Sequence, residues 1–146
     1  MKFWDSSAII PLCLEEPASE GVKNLAKTDE DLVVWWATRV ECISAMARRR
    51  REGVLPIYSE QQARATLAAL AREWSEIQPT ELVRHRAERL LMTHSLRAAD
   101  ALQLAAALVW TEEATMGAEF VCLDQILREA AMKEGFTILP HPSFQV

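Results

Sequence analysis

Four acidic residues are candidates for a functional site because of the segments in which they lie: Asp5, Glu41, Asp100 and Asp124. Asp5 and Asp124 each follow an apolar stretch typical of a buried strand and precede a predicted helix. Because ligands of open α/β sheets bind beyond the carboxyl ends of the strands, both acids are expected at the same edge of a sheet. The alternative is that each is only a helix N-cap, a position that prefers Asp.

Asp100 lies in the nearly all-apolar segment 96–108, which predicts a buried helix. A lone buried carboxylate needs a cation, a partner or protonation. Arg97 is the candidate partner, and the helix dipole offers a second explanation, since it favours an acid in the first turn. Glu41 lies in a predicted helix after a strand-like segment and has no basic residue three or four positions ahead. Its alternative is a solvated helix edge.

A single hypothesis, a magnesium or manganese site, explains all four acids. Hard cations prefer oxygen ligands, commonly one or two carboxylates together with waters and substrate phosphates. Without a cation, clustered carboxylates repel one another and some stay protonated. A bound ion polarises a phosphoryl oxygen and lowers the pKa of a coordinated water. The four acids therefore predict metal-assisted hydrolysis at a phosphate group.

Strand-like and helix-like segments alternate along the chain. Strands are predicted at 2–5, 32–36, 119–124 and 136–139, and helices at 8–14, 17–27, 38–52, 59–76, 80–93, 96–110 and 125–134. This order predicts an α/β fold of three layers, α/β/α, with a central parallel sheet of about four or five strands.

Residues 59–93 are predicted to form a helical hairpin. An apolar stripe on its first helix, with helical spacing, consists of Ala63, Leu67, Leu70 and Trp74. The stripe could pack on the domain or accept an amphipathic helix of a partner. The pattern itself leaves both alternatives open.

Composition limits the class of protein. The 146 residues predict a single domain, 1–146, and 50% hydrophobic with 25% charged residues argues against bulk disorder. A net charge of −5 argues against a passive coat for nucleic acid. The three cysteines are far apart and form no C-x-x-C pair, so reduced thiols are expected. No apolar segment is long enough to cross a bilayer, and we expect a cytoplasmic protein with no membrane partner.

Four segments in this order resemble the PIN-domain ribonucleases, in particular the VapC-type toxins of type II toxin–antitoxin systems. They are residues 3–8 around Asp5, the Val40-Glu41 pair, residues 96–105 around Asp100, and residues 120–124 followed by Leu127, Ala130 and Gly135. The segment around Asp100 is the most specific. The resemblance covers the whole chain and implies a PIN-like fold.

The resemblance implies that Asp5, Glu41, Asp100 and Asp124 are the catalytic residues and hold one or two divalent ions. Mg²⁺ is the expected ion, and Mn²⁺ is expected to be able to take its place. It also implies RNA as substrate, a cognate antitoxin that covers the active site, and a homodimer. Ser7 falls where the family often has a residue that supports the first Asp. Cys122 departs from the Ser or Thr of many relatives, which puts one supporting hydrogen bond in doubt.

Several arginines are candidates for contacts with RNA. Arg97 could orient Asp100 or meet a phosphate. The run Arg48, Arg49, Arg50 and Arg51 ends a predicted helix and could form a phosphate-binding patch. The alternative for this run is a solvated face at a helix C-terminus, which cations favour.

Other functions remain open. An aspartyl-phosphate enzyme would use Asp5 as nucleophile, but phosphatases of that kind usually carry a second Asp two residues on, where this chain has Ser7. The acidic pair and late lysine of a receiver domain are also missing. A PIN nuclease that processes RNA without an antitoxin, and a non-catalytic binding module of the same fold, are the remaining alternatives.

Overall fold

The computed structural model describes residues 1–141, and a sheet of five parallel strands forms its centre. The strands are β1 (Lys2–Trp4), β2 (Leu32–Trp35), β3 (Ser75–Ile77), β4 (Glu119–Val121) and β5 (Thr137–Leu139). Their order across the sheet is β3-β2-β1-β4-β5. The chain builds outward from β1 to one side and then to the other. The sheet therefore has a switch point at β1, where α/β folds place their ligand crevice.

Seven helices connect these strands in the described part of the chain. They are α1 (Ser6–Cys13), α2 (Ser19–Lys27), α3 (Thr38–Arg51), α4 (Ile57–Glu73), α5 (Glu81–Thr93), α6 (Ala98–Trp110) and α7 (Gln125–Lys133). Two of them, α3 and α7, are followed by glycines in the left-handed region, Gly53 at φ 77° and Gly135 at φ 104°. None of the described helices is both long and apolar enough to span a membrane.

Alternating strand side chains divide the core into two clusters. Phe3 and Phe120 stack at 5.4 Å between ring centroids and pack with buried residues of α5, α6 and α7. Trp4 and Val121 point to the other face and pack with buried residues of α1 to α4. Both faces of the sheet are thus covered by helices, as parallel sheets require. The predicted three-layer α/β/α architecture is confirmed, with five strands.

The predicted helical hairpin is wrong. Helix α4 ends at Glu73, and the next residues form β3, in which Glu76 aligns with Val34 of β2. Helix α4 packs against α1 and α3 on one face of the sheet, whereas α5 packs against α6 on the other face. A strand of three residues is too short to show an alternating pattern, and its hydrogen bonds come from β2, which is far away in sequence.

The apolar stripe of α4 faces the core of the domain. Ala63 and Leu67 are fully buried, Leu70 packs at the edge of the same cluster, and Trp74 is 8% exposed. The stripe is therefore used for packing within the chain. Of the two alternatives that the pattern left open, the structure favours the first.

The turn before β2 contains a buried acidic residue. Asp29 is buried, and its carboxylate accepts hydrogen bonds from the Trp4 indole at 2.8 Å and the Lys2 backbone at 3.2 Å. This contact satisfies a polar atom of an otherwise apolar core residue. The side chain thus ties β1 to the end of α2.

Candidate active site

The fold brings the four predicted acids into one electrostatic cluster. Asp5 follows β1 and Asp124 follows β4, two neighbouring strands, so both lie at the carboxyl edge of the sheet. Glu41 lies in the first turn of α3, after β2, and Asp100 in the first turn of α6. Burial is the main cause that raises the pKa of both Asp5 and Asp100; the charges of Glu41 and Asp100 add to the rise at Asp5, and those of Asp124 and Glu41 to the rise at Asp100. The four carboxylates are therefore coupled.

Asp5 is buried, with 3% of its surface exposed. Burial is the main cause that raises its pKa from 3.8 to about 6, and hydrogen bonds from Ser7 oppose this rise. The side chain is also the N-cap of α1, where Oδ2 accepts from the Ser7 amide at 3.1 Å. Asp5 is thus both a helix cap and a member of the acidic cluster, two roles that the sequence presented as alternatives.

Ser7 links Asp5 to the turn that follows β4. Its hydroxyl donates to Asp5 Oδ2 at 2.5 Å and accepts from the Leu123 amide at 2.9 Å. The Cys122 thiol lies 3.6 Å from the same Oδ2. Burial raises the pKa of Cys122, so the thiol stays protonated at neutral pH and can donate. The hydrogen bond placed in doubt by the departure from Ser or Thr is thus replaced by a weaker thiol contact.

Glu41 is held through one oxygen. Its Oε1 accepts from the Ser6 hydroxyl at 2.9 Å and from Gln103 Nε2 at 3.0 Å. Gln103 also donates to the Thr38 hydroxyl at 2.9 Å. Since Ser6 begins α1 and Gln103 lies in α6, the carboxylate is fixed between three helices. These contacts do not fit the alternative in which Glu41 is only a solvated residue at the edge of a helix.

Asp100 and Asp124 form the more open side of the cluster. Asp100 is partly buried, and desolvation is the main cause that raises its pKa, while Arg97 at the N-cap of α6 lowers it. Asp124 is exposed and caps α7, where Oδ2 accepts from the Leu127 amide at 3.0 Å. The cluster is therefore open to solvent on the side of these two acids.

The available oxygens fit a hard divalent cation. In the described part of the chain, the hydrogen bonds of Asp5 and Asp124 fall on Oδ2 and those of Glu41 on Oε1. The second oxygen of each remains for another ligand, and oxygen donors are what Mg²⁺ prefers. Burial, together with the charges of Glu41 and Asp100, raises the pKa of Asp5, and a bound cation would favour the ionised form of this carboxyl.

The side chains do not form a finished metal-binding cage. Among residues 1–141, no group of three or more His, Cys, Asp or Glu side chains converges closely enough to hold an ion. Repulsion between carboxylates favours separation when no cation neutralises them. The metal site that the sequence predicts thus remains a prediction supported by charge and residue type.

The arginine run lies away from the acids. Arg48 to Arg51 form the last turn of α3, about 10–15 Å along the helix from Glu41. Arg49 pairs with Glu16 at 3.0 Å and Arg50 with Glu60 at 3.1 Å. The structure thus does not bring this predicted RNA contact to the candidate site, and two of its charges are already neutralised.

Sequence reasoning missed four residues that support the acids. Ser6 and Gln103 donate to Glu41, and Thr38 accepts from Gln103, which lies one turn after Asp100 in an apolar helix. Arg128 is buried and donates to the Cys122 carbonyl at 2.7 Å, which fixes the turn before Asp124. The available sequence signals were a glutamine among alanines and leucines and an arginine in the apolar stripe of α7.

The fold and the site define a parallel α/β domain that presents a carboxylate cluster at the carboxyl edge of its sheet. The PIN domain family model matches residues 2–133, so the chain belongs to the PIN domain family. Members of this family are nucleases. A comparison with curated proteins returned no match.

Solved structures show the same fold at low sequence identity. A chain of a toxin–antitoxin complex from Klebsiella pneumoniae is 17% identical with TM-score 0.64, and the match covers 94% of this chain and 97% of that chain. PAE2754 from Pyrobaculum aerophilum is 18% identical with TM-score 0.66, covering 94% and 88%. FitAcB from Neisseria gonorrhoeae is 16% identical with TM-score 0.63, covering 94% and 96%.

Proposed function

We propose that this protein is an endoribonuclease that hydrolyses RNA phosphodiester bonds with the help of a divalent cation. The observation that carries the proposal is the coupled cluster of Asp5, Glu41, Asp100 and Asp124 at the switch point of the sheet. Membership of a family of nucleases supports the reaction class. Oxygen-only donors support Mg²⁺ as the ion, with Mn²⁺ as a substitute.

The residues of the chain would divide the work by their surroundings. Asp5, Glu41, Asp100 and Asp124 would hold the cation, which when bound supplies an activated water and a Lewis acid at the phosphate. Ser7 and Cys122 orient Asp5, and Arg97 lies where it can neutralise charge beside Asp100. The exposed side at Asp124 leaves room for a polymeric substrate.

Removal of one ligand charge tests the reaction. Asp100→Asn is expected to reduce cleavage of a labelled single-stranded RNA in Mg²⁺ by at least about 100-fold, which is about 2.7 kcal/mol of transition-state stabilisation. Glu73→Gln, which removes an exposed carboxylate at the end of α4, is the matched control and should keep full activity. Full activity of the Asp100→Asn protein would overturn the proposal.

We further propose that the protein is the toxin of a toxin–antitoxin pair, acts as a homodimer, and is neutralised by a cognate antitoxin. Support comes from the Klebsiella pneumoniae chain, which shares the fold over nearly its whole length and is described as part of such a complex. Induced synthesis of the wild-type protein in a bacterial host should stop growth, and synthesis of Asp100→Asn should not.

Normal growth on induction of a protein that cleaves RNA in vitro would favour a nuclease of RNA processing that has no antitoxin. A protein that binds RNA without cleaving it would instead be a binding module. A neighbouring gene for a small DNA-binding protein identifies the candidate antitoxin, and its product should block cleavage at equimolar amounts.

A further inference from the structure

Gln103 is a buried polar residue in a helix built from apolar ones. It is 1% exposed and lies in α6, one turn after Asp100. The residues that follow it, Leu104 to Leu108, are all buried and all leucine or alanine. A Leu or Met of similar size would therefore pack at this position about as well as the glutamine does.

The amide of Gln103 connects α6 with the start of α3. Its Nε2 donates to Glu41 Oε1 at 3.0 Å and to Thr38 Oγ1 at 2.9 Å. The opposite orientation of the amide would place Oε1 against a carboxylate oxygen, and two acceptors at that distance repel. The charge on Glu41 thus selects the orientation, and the contact is a charge-assisted hydrogen bond.

The carbonyl oxygen of the Gln103 amide lowers the stability of the fold. Gln103 Oε1 is buried and has no hydrogen-bond partner within the described residues. Buried polar atoms normally find partners, and an unsatisfied one destabilises the fold. The amide at position 103 is therefore explained by what its nitrogen does for Glu41 rather than by the stability of the core.

We propose that Gln103 is a positioning residue that holds Glu41 by one oxygen and presents the other to a divalent cation. Ser6 donates to the same Oε1, so both donors leave Oε2 available. A fixed ligand loses less conformational entropy when the ion binds. This inference rests on the proposed metal-dependent function, and Gln103 acts in it only through Glu41.

The test is a double-mutant cycle of Mn²⁺ affinity, measured by calorimetry and by the metal-induced rise in melting temperature. Gln103→Met removes both donated hydrogen bonds at similar volume and is expected to weaken Mn²⁺ binding about tenfold. In a Glu41→Gln background the same substitution should change affinity less than twofold. Leu104→Met, at the next equally buried position, is the matched control and should bind like the wild type.

Each outcome decides the inference. Affinity of Gln103→Met within twofold of wild type, or an equal loss in both backgrounds, would overturn it. Gln103→Asn, which keeps the amide but shortens its reach, replaces Gln103→Met if the latter does not fold, with the same tenfold loss expected. If the wild-type protein itself bound no Mn²⁺ and cleaved no RNA, the proposed function would be contradicted. The inference about Gln103 fails in a different way, because there the wild-type protein binds Mn²⁺ and only the expected effect of the substitution is missing.

Discussion

The Asp5 side chain stabilises helix α1 as its N-cap, although the surroundings of its carboxyl group disfavour the ionised form. Its Oδ2 caps α1 and accepts from Ser7, while burial and the charges of Glu41 and Asp100 raise its pKa to about 6. Burial and the charges of Asp124 and Glu41 raise the pKa of Asp100. The site is therefore least stable when its acids are ionised and no cation is present, which is the condition that cation binding relieves.

Asp5→Asn is expected to stabilise the metal-free protein at pH 7. The folded-state pKa of about 6 lies above the unfolded value of 3.8, so the folded state binds the proton more tightly. The free energy of unfolding therefore falls as pH rises from about 4 to about 6 and stays lower above that range. Asparagine also caps helices and does not ionise, so the gain at pH 7 is up to about 3 kcal/mol.

Urea denaturation in EDTA at pH 4 and pH 7 measures this effect. The variant should lose most of the wild-type decrease between the two pH values, whereas Glu73→Gln should keep it. A variant no more stable than the wild type at pH 7 would show that the pKa of Asp5 is not raised in the folded state.

Two helix ends present arginines in different electrostatic settings. Arg97 is the N-cap of α6 and acts on Asp100, whereas Arg51 ends α3 at the far end of that helix from Glu41. The two helix ends thus separate Arg97, which the sequence predicted to orient Asp100 or meet a phosphate, from the arginine run that it predicted as an RNA-binding patch. The position of Arg97 beside the acids makes it the better candidate for a phosphate contact.

Arg97→Gln is expected to raise the KM for RNA about 5-fold to 20-fold, the loss of one charge-assisted phosphate contact worth about 1–2 kcal/mol. Arg51→Gln should change KM less than twofold. Cleavage kinetics at low and high salt measure both. Equal KM values for the two variants would remove the distinction between these helix ends.

At the scale of the elements, substitutions in α4 test whether its apolar stripe belongs to the core. Leu67 of α4 is fully buried in the core cluster that also contains residues of α1 and α3, while Leu82 in the first turn of α5 is 64% exposed. Leu67→Ala should lower the free energy of unfolding by about 2–5 kcal/mol, and Leu82→Ala by less than about 0.5 kcal/mol. Equal losses in urea denaturation would mean that the stripe of α4 is not part of the core.

At the scale of the whole molecule, the acids belong to segments far apart in the chain, and only the folded sheet brings them together. A cation that binds this assembly binds the folded state alone. Binding therefore shifts the unfolding equilibrium of the entire domain. Thermal unfolding is thus a measure of the site.

Mn²⁺ at about 100 times its Kd is expected to add about 2.7 kcal/mol to the free energy of unfolding. For a chain of this size that is a rise in melting temperature of about 5–10 °C. The Asp100→Asn protein should show little or no rise. An equal rise in both proteins would place Mn²⁺ elsewhere, and no rise in the wild type would contradict the metal site.

The sequence by itself determined the fold class, most of the helices, and the four acids as candidates. Strand-like runs alternating with helices dictate a covered parallel sheet, and a carboxylate such as Asp100 in an apolar helix demands an explanation in any fold. These features depend on local composition and spacing, which the chain displays directly.

Only the tertiary structure decided which residues support the acids and how the middle of the chain is arranged. Strand β3 exists because β2 offers it hydrogen bonds, and the contacts of Gln103 with Glu41 and of Ser7 with Leu123 join distant segments. The burial and the neighbouring charges that raise the pKa of Asp5 have the same origin. Such pairings carry no local pattern, because their energy comes from groups that meet only when the chain is folded.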